Sequence, residues 1–275
     1  MKHIIYILLL LISFLPFKVL YSISMIISLI NNYLIKYRAE VILKNITLSF
    51  PALNSIEKKR FLFKFYIKFF NTIVEIIKSL SLDKREIEKR IKINNINIIE
   101  QSIKRKKSII LVGSHLGNWE WLLLRLSLIK NINLSAVYKP LSNKWINYIM
   151  LKIRTKFNTS LIPLDKWHSF ILKNRNTPST IFFVTDQVPE NNKSSIRINF
   201  LNQSTLFHLG PEKTSKLLEA EVYYINLTIQ KTGFYDVHFQ TLKKEDITKS
   251  YVNLLEKNIK KQPLYWLWSH RRWKR

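Results

Sequence analysis

The sequence contains no cysteine, and only four of its residues are glycine. The absence of cysteine excludes a disulfide-stapled scaffold, a thiolate zinc or iron–sulfur site and a cysteine nucleophile, and it leaves the redox compartment open. The chain also lacks a glycine-rich phosphate loop and any zinc-ligand spacing. We therefore expect no nucleotide, no other cofactor and no metal.

Acidic residues are scarce as well: 18 Asp and Glu stand against 45 Lys and Arg, and the formal net charge is +27. Such a charge suits nucleic acid, an anionic membrane surface, or an acidic protein or phosphorylated substrate. Abundant Lys, Ile and Asn also fit a drift toward A/T-rich codons, so the charge alone does not decide. Because 47% of the 275 residues are hydrophobic, the chain can bury a large core as one globular domain, with or without an appendage.

A long apolar run occupies residues 4–30, with Lys18 and a few serines inside it and a kink expected at Pro16. About 20 apolar residues span the hydrocarbon layer of a bilayer, so this run either crosses the membrane or lies partly embedded in it. A cleaved signal peptide is disfavoured because no small-residue cleavage site comes after the run. A core helix of the globular domain is the remaining alternative.

Basic residues come directly after the apolar run at Lys36, Arg38 and Lys44. Such residues next to an apolar segment favour a cytoplasmic location for the remainder of the chain. We therefore predict a membrane-anchoring segment at residues 1–35 and a globular domain at residues 36–275.

The stretch from Glu57 to Lys78 has helical periodicity, because its polar residues recur every three or four positions and form one stripe. Almost all of its other residues are Phe, Tyr, Ile, Leu or Val. A helix with so narrow a polar face is buried on most sides, either wholly in the protein core or partly in lipid. The sequence leaves both alternatives open.

From about residue 84 onwards, short β-branched runs alternate with amphipathic stretches. Strands are predicted at Ser108–Gly113, Leu134–Tyr138, Ser160–Pro163, Ser179–Val184, Ile196–Phe200, Val222–Gln230 and Phe234–Gln240. Helices are predicted at Trp119–Ile129, Asn143–Phe157, Lys166–Lys173, Glu212–Leu218 and Ile247–Lys260. This alternation predicts an α/β fold, a single domain with a central, mostly parallel or mixed sheet flanked by helices.

The most distinctive short segment, GSHLGNWEW at residues 113–121, directly follows an apolar strand and opens a helix. Reactive groups collect at the carboxyl ends of strands in open α/β sheets, so His115 lies where a catalytic group is expected. A carboxylate at Glu120 could orient the imidazole for general-base catalysis. Gly113 and Gly117 flank the histidine, as a tight loop requires. From spacing alone, an ordinary polar residue at a strand end is an equally good interpretation of His115.

This segment resembles the His-x4-Asp/Glu motif of the glycerolipid acyltransferase superfamily. Its Glu-bearing form with Gly-Asn-Trp is typical of the lipid A biosynthesis acyltransferases, the late, lauroyl/myristoyl-type enzymes. Further blocks are similar to that family in the same order: Tyr37-Arg38 with Asn45 and Leu48–Pro51, Val137–Leu141, Arg154 with Phe157, Asp186-Gln187, Phe200-Leu201 with Gly210-Pro211, and Trp266–Lys274. Two positions depart from the family pattern, Lys139 standing for an arginine and Asn158 for a glycine.

The resemblance implies an inner-membrane acyltransferase of lipid A and lipopolysaccharide biosynthesis, with its catalytic domain at residues 36–275 facing the cytoplasm. Such an enzyme moves a fatty acyl group from acyl carrier protein to a hydroxyl of a lipid A precursor. Carried onto this sequence, His115 is the general base that deprotonates the hydroxyl, and Glu120 holds and polarises the imidazole. The hydroxyl is itself the nucleophile, so no acyl-enzyme is needed.

The tetrahedral oxyanion of this reaction needs hydrogen-bond donors. Backbone N–H groups of Gly117, Asn118 and Trp119 are candidates, and so is the Arg154 side chain. Arg154 and Lys139 alternatively bind phosphates or acidic sugars of the precursor. For Lys139, an ordinary surface cation is an equally good interpretation.

Two further groups of polar residues receive other roles. Asp186 is also a candidate for a catalytic or metal-binding role, but no second carboxylate stands near it in the sequence. With Gln187, it is therefore expected to be structural or substrate-positioning, accepting hydrogen bonds from a loop after its strand. His270, Arg271 and Arg272 are expected in an aromatic and basic tail that faces the membrane.

Other functions stay open at this stage. An acyltransferase for another membrane glycolipid or lysolipid would use the same pair of residues on a different acceptor, and a coenzyme A ester is an alternative donor. In a different class, a non-catalytic basic protein on a membrane surface would not need the His115–Glu120 pair. The strand–loop–helix context of His115 argues against a nucleic-acid binder.

Overall fold

The protein is centred on a seven-stranded sheet, in a computed structural model that describes residues 2–189 and 194–274. The strands are β1 (Ile91–Ile93), β2 (Ile109–Gly113), β3 (Leu134–Tyr138), β4 (Ser160–Pro163), β5 (Thr180–Val184), β6 (Ser195–Phe200), β7 (Gln203–His208), β8 (Glu221–Lys231) and β9 (Phe234–Thr241). The sheet order is β1-β9-β8-β2-β5-β3-β4, with β8 and β9 antiparallel and the other neighbours parallel. β6 and β7 form a separate antiparallel pair. This confirms the predicted α/β domain with a mostly parallel sheet.

Helices surround the sheet. They are α1 (Lys2–Ser13), α2 (Phe17–Ile30), α3 (Ala39–Ser49), α4 (Ser55–Lys78), α5 (Lys84–Arg90), α6 (Asn97–Lys104), α7 (Trp119–Leu126), α8 (Lys144–Arg154), α9 (Trp167–Asn174), α10 (Gly210–Leu218) and α11 (Ile247–Lys261). A π-helix at Asn31–Ile35 continues α2, and a 3-10 helix at Pro263–Tyr265 comes after α11.

Strand β2 shows why the sheet is buried on both faces. Successive side chains of a strand point to opposite sides, so Ile110 and Val112 join one hydrophobic core while Ile109 and Leu111 join the other. Because both cores need apolar contacts, the sequence of this strand is apolar without alternation.

The sequence predicts most elements but misses those that depend on their partners. The predicted bounds of β3 and β4 match the structure. β1 has three residues and pairs with β9, and β7 has a largely polar sequence and pairs with β6, so neither carries a strand pattern of its own. Helices α3, α5 and α6 are also absent from the sequence-based prediction.

The predicted amphipathic helix is α4, which begins with a capping box between Asn54 and Glu57. Its polar stripe meets two environments. The first half of the stripe is exposed, as at Arg60 and Lys64, whereas Glu75 near the end is 1% exposed. The stripe turns inward because α1 and α2 pack on the second half of α4.

The N-terminal apolar run forms two helices, not one, because α1 ends at Ser13 and Pro16 precedes α2. α1 packs against α4 and α8, and α2 packs against α4. The 19-residue helical stretch Phe17–Ile35 is long and apolar enough to cross a membrane by length and composition, with 22% of its most apolar window buried in the protein.

Candidate active site

The candidate active site lies at the carboxyl ends of β2 and β5, which are neighbours in the sheet. Their register sets Gly113 opposite Val184. His115 and Asp186 each stand two residues further on, so parallel pairing brings them out of the sheet side by side. This is the edge at which α/β sheets bind ligands.

The imidazole of His115 is held by the carboxylate of Asp186. Nδ1 of His115 lies 2.7 Å from Oδ1 of Asp186, and the His115 backbone N–H donates to Oδ2 at 3.0 Å. The indole N–H of Trp266 donates to the same Oδ2 at 2.7 Å. An Nδ1–H that donates to a carboxylate leaves Nε2 as the acceptor atom of the ring.

Asp186 is 1% exposed, yet it is suited to remain ionised. Burial alone would raise its pKa, but the nearby His115 and the hydrogen bonds from His115 and Trp266 outweigh that effect. Together they hold the pKa of the Asp186 carboxyl below its ordinary value. A buried carboxylate in this state can stabilise an imidazolium formed beside it.

Glu120 does not hold the imidazole in this structure, contrary to the expectation from the His-x4-Glu spacing. Its Oε2 accepts from Nε of Arg154 at 2.9 Å, and its Oε1 accepts from Nη2 of the same residue at 2.6 Å. The physical reason is that Glu120 belongs to the first turn of α7, which packs against α8, the helix that ends at Arg154. A 3% exposed carboxylate needs a counter-charge, and the guanidinium supplies it bidentately.

The pairing also acts on the arginine. Burial alone would lower the pKa of Arg154, but the Glu120 carboxylate outweighs this effect and raises that pKa above its ordinary value. Arg154 is therefore a fixed cation in the site, with guanidinium N–H groups beyond the two that Glu120 uses.

Trp119 separates the two carboxylate pairs. Its ring packs edge-on against the ring of His115, with centroids 4.9 Å apart, and its indole N–H donates to Oε1 of Glu120 at 3.0 Å. The site therefore contains a His115–Asp186 pair and a Glu120–Arg154 pair on either side of one indole.

The loop between β2 and α7 depends on Gly117, which has a positive φ of 66°. A Cβ at this position would lie 3.0 Å from Leu227 and 3.2 Å from Tyr235. The Gly117 N–H donates to the carbonyl of Tyr265 at 2.9 Å, so this predicted oxyanion donor is already used inside the protein. The Asn118 side chain caps α7 by accepting from the backbone N–H of Trp121 at 2.9 Å.

A segment near the end of the chain supports the same loop. Leu116 and Trp266 form an isolated antiparallel bridge, and the Leu267 N–H donates to the His115 carbonyl at 3.1 Å. The predicted membrane-facing aromatic tail is therefore wrong. Trp266 and Trp268 are 2% and 0% exposed because they fill the core beneath the loop.

Arg38 and Asn45, from the block near the start of the chain, hold this last segment in place. Nη1 of Arg38 donates to the Ser269 carbonyl at 2.9 Å, and Nδ2 of Asn45 donates to the Trp268 carbonyl at 2.8 Å. Arg272 is also internal, at 3% exposed, and donates to a backbone carbonyl, whereas Arg271 is exposed.

His270 lies within electrostatic range of the His115–Asp186 pair. Its Nε2 accepts the backbone N–H of Val188 at 3.4 Å. Burial is the largest cause of a fall in the pKa of His270 to about 4, with His115 and nearby cations adding to it against an opposing effect of Asp186. His270 is therefore neutral at pH 7.

Sequence reasoning missed a buried carboxylate under the loop. Oε2 of Glu75 accepts from the Asn118 side-chain amide at 3.0 Å and from the Tyr235 hydroxyl at 2.6 Å, and Oε1 accepts from the Tyr21 hydroxyl at 2.9 Å. Burial raises the pKa of Glu75 above its ordinary value, against the opposing hydrogen bonds. An acidic residue in a basic, mostly apolar helix is the signal that could have singled it out.

The remaining predicted site residues are Gln187 and Lys139. The Gln187 side-chain amide nitrogen lies 3.2 Å from Nε2 of His115. With the tautomer set by Asp186, Gln187 donates to the atom that a substrate hydroxyl would use. Lys139 lies on the exposed surface, directly after the last residue of β3.

An apolar cleft adjoins the loop between α4 and the segment around the 3-10 helix. The cleft is narrow in this structure, because its enclosed volume is about 20 Å³, close to the room that one water molecule needs. Its lining includes Phe65, Phe69, Ile73, Gly117, Trp119 and Tyr265. Across residues 2–189 and 194–274, no cluster of three or more His, Cys, Asp or Glu could hold a metal ion.

Comparison with known protein families gives one match over the whole chain. The family model described as bacterial lipid A biosynthesis acyltransferase matches residues 1–275. Among curated proteins, none is similar enough to this chain to count as a match.

Proposed function

The chain belongs to the bacterial lipid A biosynthesis acyltransferase family, and we propose that it transfers a fatty acyl group from acyl carrier protein to a hydroxyl of a lipid A precursor. The observation that carries the proposal is the His115–Asp186 pair at the carboxyl ends of β2 and β5, with the imidazole partly exposed beside an apolar cleft.

His115 is the general base of the proposed reaction. Asp186 holds Nδ1–H, so Nε2 accepts the proton of the acceptor hydroxyl as its oxygen attacks the thioester carbonyl. The C–O bond forms and the C–S bond then breaks. The proton on Nε2 passes to the departing thiolate of the carrier, which balances the reaction without an acyl-enzyme. Asp186 stabilises the transient imidazolium.

Gln187 occupies the position of the acceptor hydroxyl in the free protein. Its amide donates to Nε2 of His115, and the incoming hydroxyl replaces that hydrogen bond with its own. The amide can then turn to the hydroxyl oxygen or to the oxyanion, which makes Gln187 a substrate-positioning residue.

Arg154 is the proposed electrostatic partner of the reaction. Glu120 fixes the guanidinium from one side, and the remaining N–H groups bind the oxyanion or an anionic group of the precursor. This assigns Glu120 to positioning Arg154. The N-terminus of α7 at Trp119 adds a partial positive charge, and exposed Lys139 favours the phosphorylated acceptor.

The apolar cleft is the proposed entrance for the acyl chain, because its walls are aromatic and aliphatic and it starts beside Gly117 and Trp119, and it widens when the chain binds. The net charge of +27 favours the binding of an acidic carrier protein, of a phosphorylated acceptor and of an anionic leaflet. We place residues 1–35 at the inner membrane and the domain of residues 36–275 on its cytoplasmic side, with the acceptor drawn from that leaflet.

The test uses the purified full chain with acyl carrier protein thioesters of several chain lengths and a tetra-acylated lipid A precursor. Mass spectrometry should show a gain of one acyl group on the precursor, and little gain on a lysophospholipid offered in parallel. His115→Asn should lower the rate by about 10³-fold or more while keeping the thermal transition of the parent. Retained turnover in that folded variant would contradict the mechanism, and preferred acylation of the lysophospholipid would contradict the acceptor.

A further inference from the structure

We propose that α1 and α2 lie along one membrane surface, each with one face among the lipids of a single anionic leaflet, and that neither helix crosses the bilayer. This deepens the membrane association in the proposed function and rests on it. The test measures from which side of the membrane introduced cysteines react, and it does not measure acyl transfer. Either proposal can therefore fail without the other.

Both helices have one side on protein and one apolar side exposed. The side of α2 that contacts the protein carries residues three or four positions apart: Leu20, Ser24, Ser28 and, in the π-helix, Asn31. The rest of its circumference exposes Val19, Ile23, Met25, Ile26, Ile27, Leu29 and Ile30. α1 repeats the pattern by packing Ile5, Tyr6 and Leu9 on the core while exposing Ile4, Ile7, Leu8 and Leu11. Both helices are therefore apolar around most of their circumference, with the protein on one side only, and the exposed side can enter the lipid of one leaflet without the helix crossing the bilayer.

Hydrogen bonds attach α2 to α4 at several points along its length. The pairs run antiparallel: Tyr21 with Glu75, Ser24 with Asn71, and Ser28 with the carbonyl of Tyr66. α4 itself belongs to the globular core through the buried Leu62, Phe65 and Tyr66. For α2 to cross the bilayer in this arrangement, α4 and the core beneath it would have to enter the hydrocarbon layer too.

The turn between α1 and α2 is also held by the domain. Nζ of Lys78 donates to the carbonyls of Ser13 and Leu15, at 2.7 and 3.0 Å, and the hydroxyl of Ser81 donates to the Ser13 carbonyl at 2.6 Å. In a spanning arrangement, Phe17–Ile35 would separate this turn from the domain by about 28 Å of helix. The turn instead touches residues that directly precede α5, whose sequence is KREIEKR.

The basic residues beside the exposed apolar faces of α1 and α2 indicate that these faces contact anionic lipid. Lys18 at the start of α2, and Lys36, Arg38 and Lys44 after it, are all exposed. Cations beside an apolar stripe hold a protein to anionic headgroups while the apolar residues enter the acyl boundary. The charged α5 would resist transfer into hydrocarbon, so the depth is limited to one leaflet.

The absence of cysteine makes a clean test possible, because a single introduced thiol is the only one in the chain. Lys18→Cys, at the end of α2 near the turn, is compared with Lys257→Cys, an exposed position on α11. Each full-length variant is treated with a membrane-impermeant maleimide in right-side-out spheroplasts and in inverted vesicles. We expect both thiols to react from the same side. Reaction of Lys18→Cys from the opposite side, or from neither side, overturns the proposal.

Depth is measured with a nitroxide on Ile26→Cys in vesicles containing phosphatidylglycerol, with the Lys257→Cys label as the aqueous reference. We expect the Ile26 label to collide with oxygen more often than with a water-soluble nickel complex, and to lie about 5–10 Å into the boundary between headgroups and acyl chains. The Lys257 label should collide mainly with the nickel complex. Phosphatidylcholine vesicles should bind the protein at least tenfold more weakly. A label depth at the bilayer midplane, or equal binding to both vesicles, contradicts the inference.

Discussion

Nδ1 of His115 lies 2.7 Å from the carboxylate of Asp186, which is 71 positions further along the chain. The carboxylate only five positions from His115, that of Glu120, is bound by Arg154 instead. The short-range spacing in the sequence and the contact in the structure therefore assign different carboxylates to the imidazole, and mutagenesis can separate them.

Asp186→Asn should lower kcat by about 10³–10⁴-fold, because an amide can hold the wrong tautomer of His115 and cannot stabilise the imidazolium. KM for the acceptor should change little. Steady-state kinetics on the folded variant, checked by its thermal transition, measures both quantities. A kcat close to that of the parent would remove Asp186 from the mechanism.

Glu120→Gln should act through Arg154. Breaking a buried ion pair leaves an uncompensated charge and costs about 3–5 kcal/mol, so the free energy of unfolding should fall by an amount of that order. Glu120→Gln combined with Arg154→Gln should cost less than the sum of the two single variants. Denaturant titration of the four proteins gives the coupling energy. Additive effects on stability, with a fall in kcat of Glu120→Gln as large as that of Asp186→Asn, would instead support a direct His115–Glu120 interaction.

Glu75 should position the catalytic loop without touching substrate. Glu75→Leu leaves the hydrogen-bond donors of Asn118, Tyr235 and Tyr21 without their shared acceptor, at about 1–3 kcal/mol for each buried group. Stability and kcat should both fall. Glu75→Gln has nearly the same shape and keeps an acceptor, so it should rescue most of both; equal loss in the two variants would show that the charge matters and the network does not.

Alanine substitutions at Gly117 and at Gly210 provide a test of the loop and its control. Alanine at Gly117 would require a positive φ and would push Leu227 and Tyr235 apart, so we expect a loss of about 1–3 kcal/mol and a lower kcat. A Cβ at Gly210 meets nothing within 4 Å, so Gly210→Ala should keep both properties. Thermal unfolding and initial rates for the two variants provide the comparison, and a similar loss in both would contradict the loop argument.

His270 should make stability depend on pH. Its pKa in the folded protein is about 4, below that of an unfolded histidine near 6.5, so the contribution is complete above pH 6.5 and is lost as the pH falls toward 4. Between pH 7 and pH 5 the free energy of unfolding should fall by about 1–2 kcal/mol from this group. His270→Gln should flatten that slope, and His168→Gln on exposed α9 is the control. The pKa of the Asp186 carboxyl is below its ordinary value, so this group changes the free energy of unfolding only at pH values below this range.

Local pattern is enough to predict the elements around the site. The apolar run of β2 and the glycines after it place His115 at a strand end, and α7 begins at the predicted Trp119. Asp186 also comes after a predictable strand. Its contact with His115 depends on β5 lying next to β2, although β3 and β4 come between them in sequence, and no local pattern encodes strand order.

Residues of α4 and of the last segment are harder to assign for a related reason. Tryptophan and arginine near one another fit a lipid interface or a buried core equally well in composition, and only the partner decides. Trp266 donates to Asp186, and Arg272 reaches a backbone carbonyl in the β6–β7 pair, so both are internal. Glu75 falls in the same polar stripe as the exposed Arg60 and Lys64, and the helix alone does not reveal that Tyr21 and Asn118 approach it.

The bridge between Leu116 and Trp266 has a consequence for how the protein is made. During translation the loop carrying His115 leaves the ribosome long before Tyr265, Trp266 and Leu267, which supply partners to its backbone and to the Asp186 carboxylate. The N-terminal helices of a growing chain can therefore pack on α4 before the loop that carries His115 has its partners. We expect the His115–Asp186 pair to reach its final geometry only after the last segment of the chain has been synthesised.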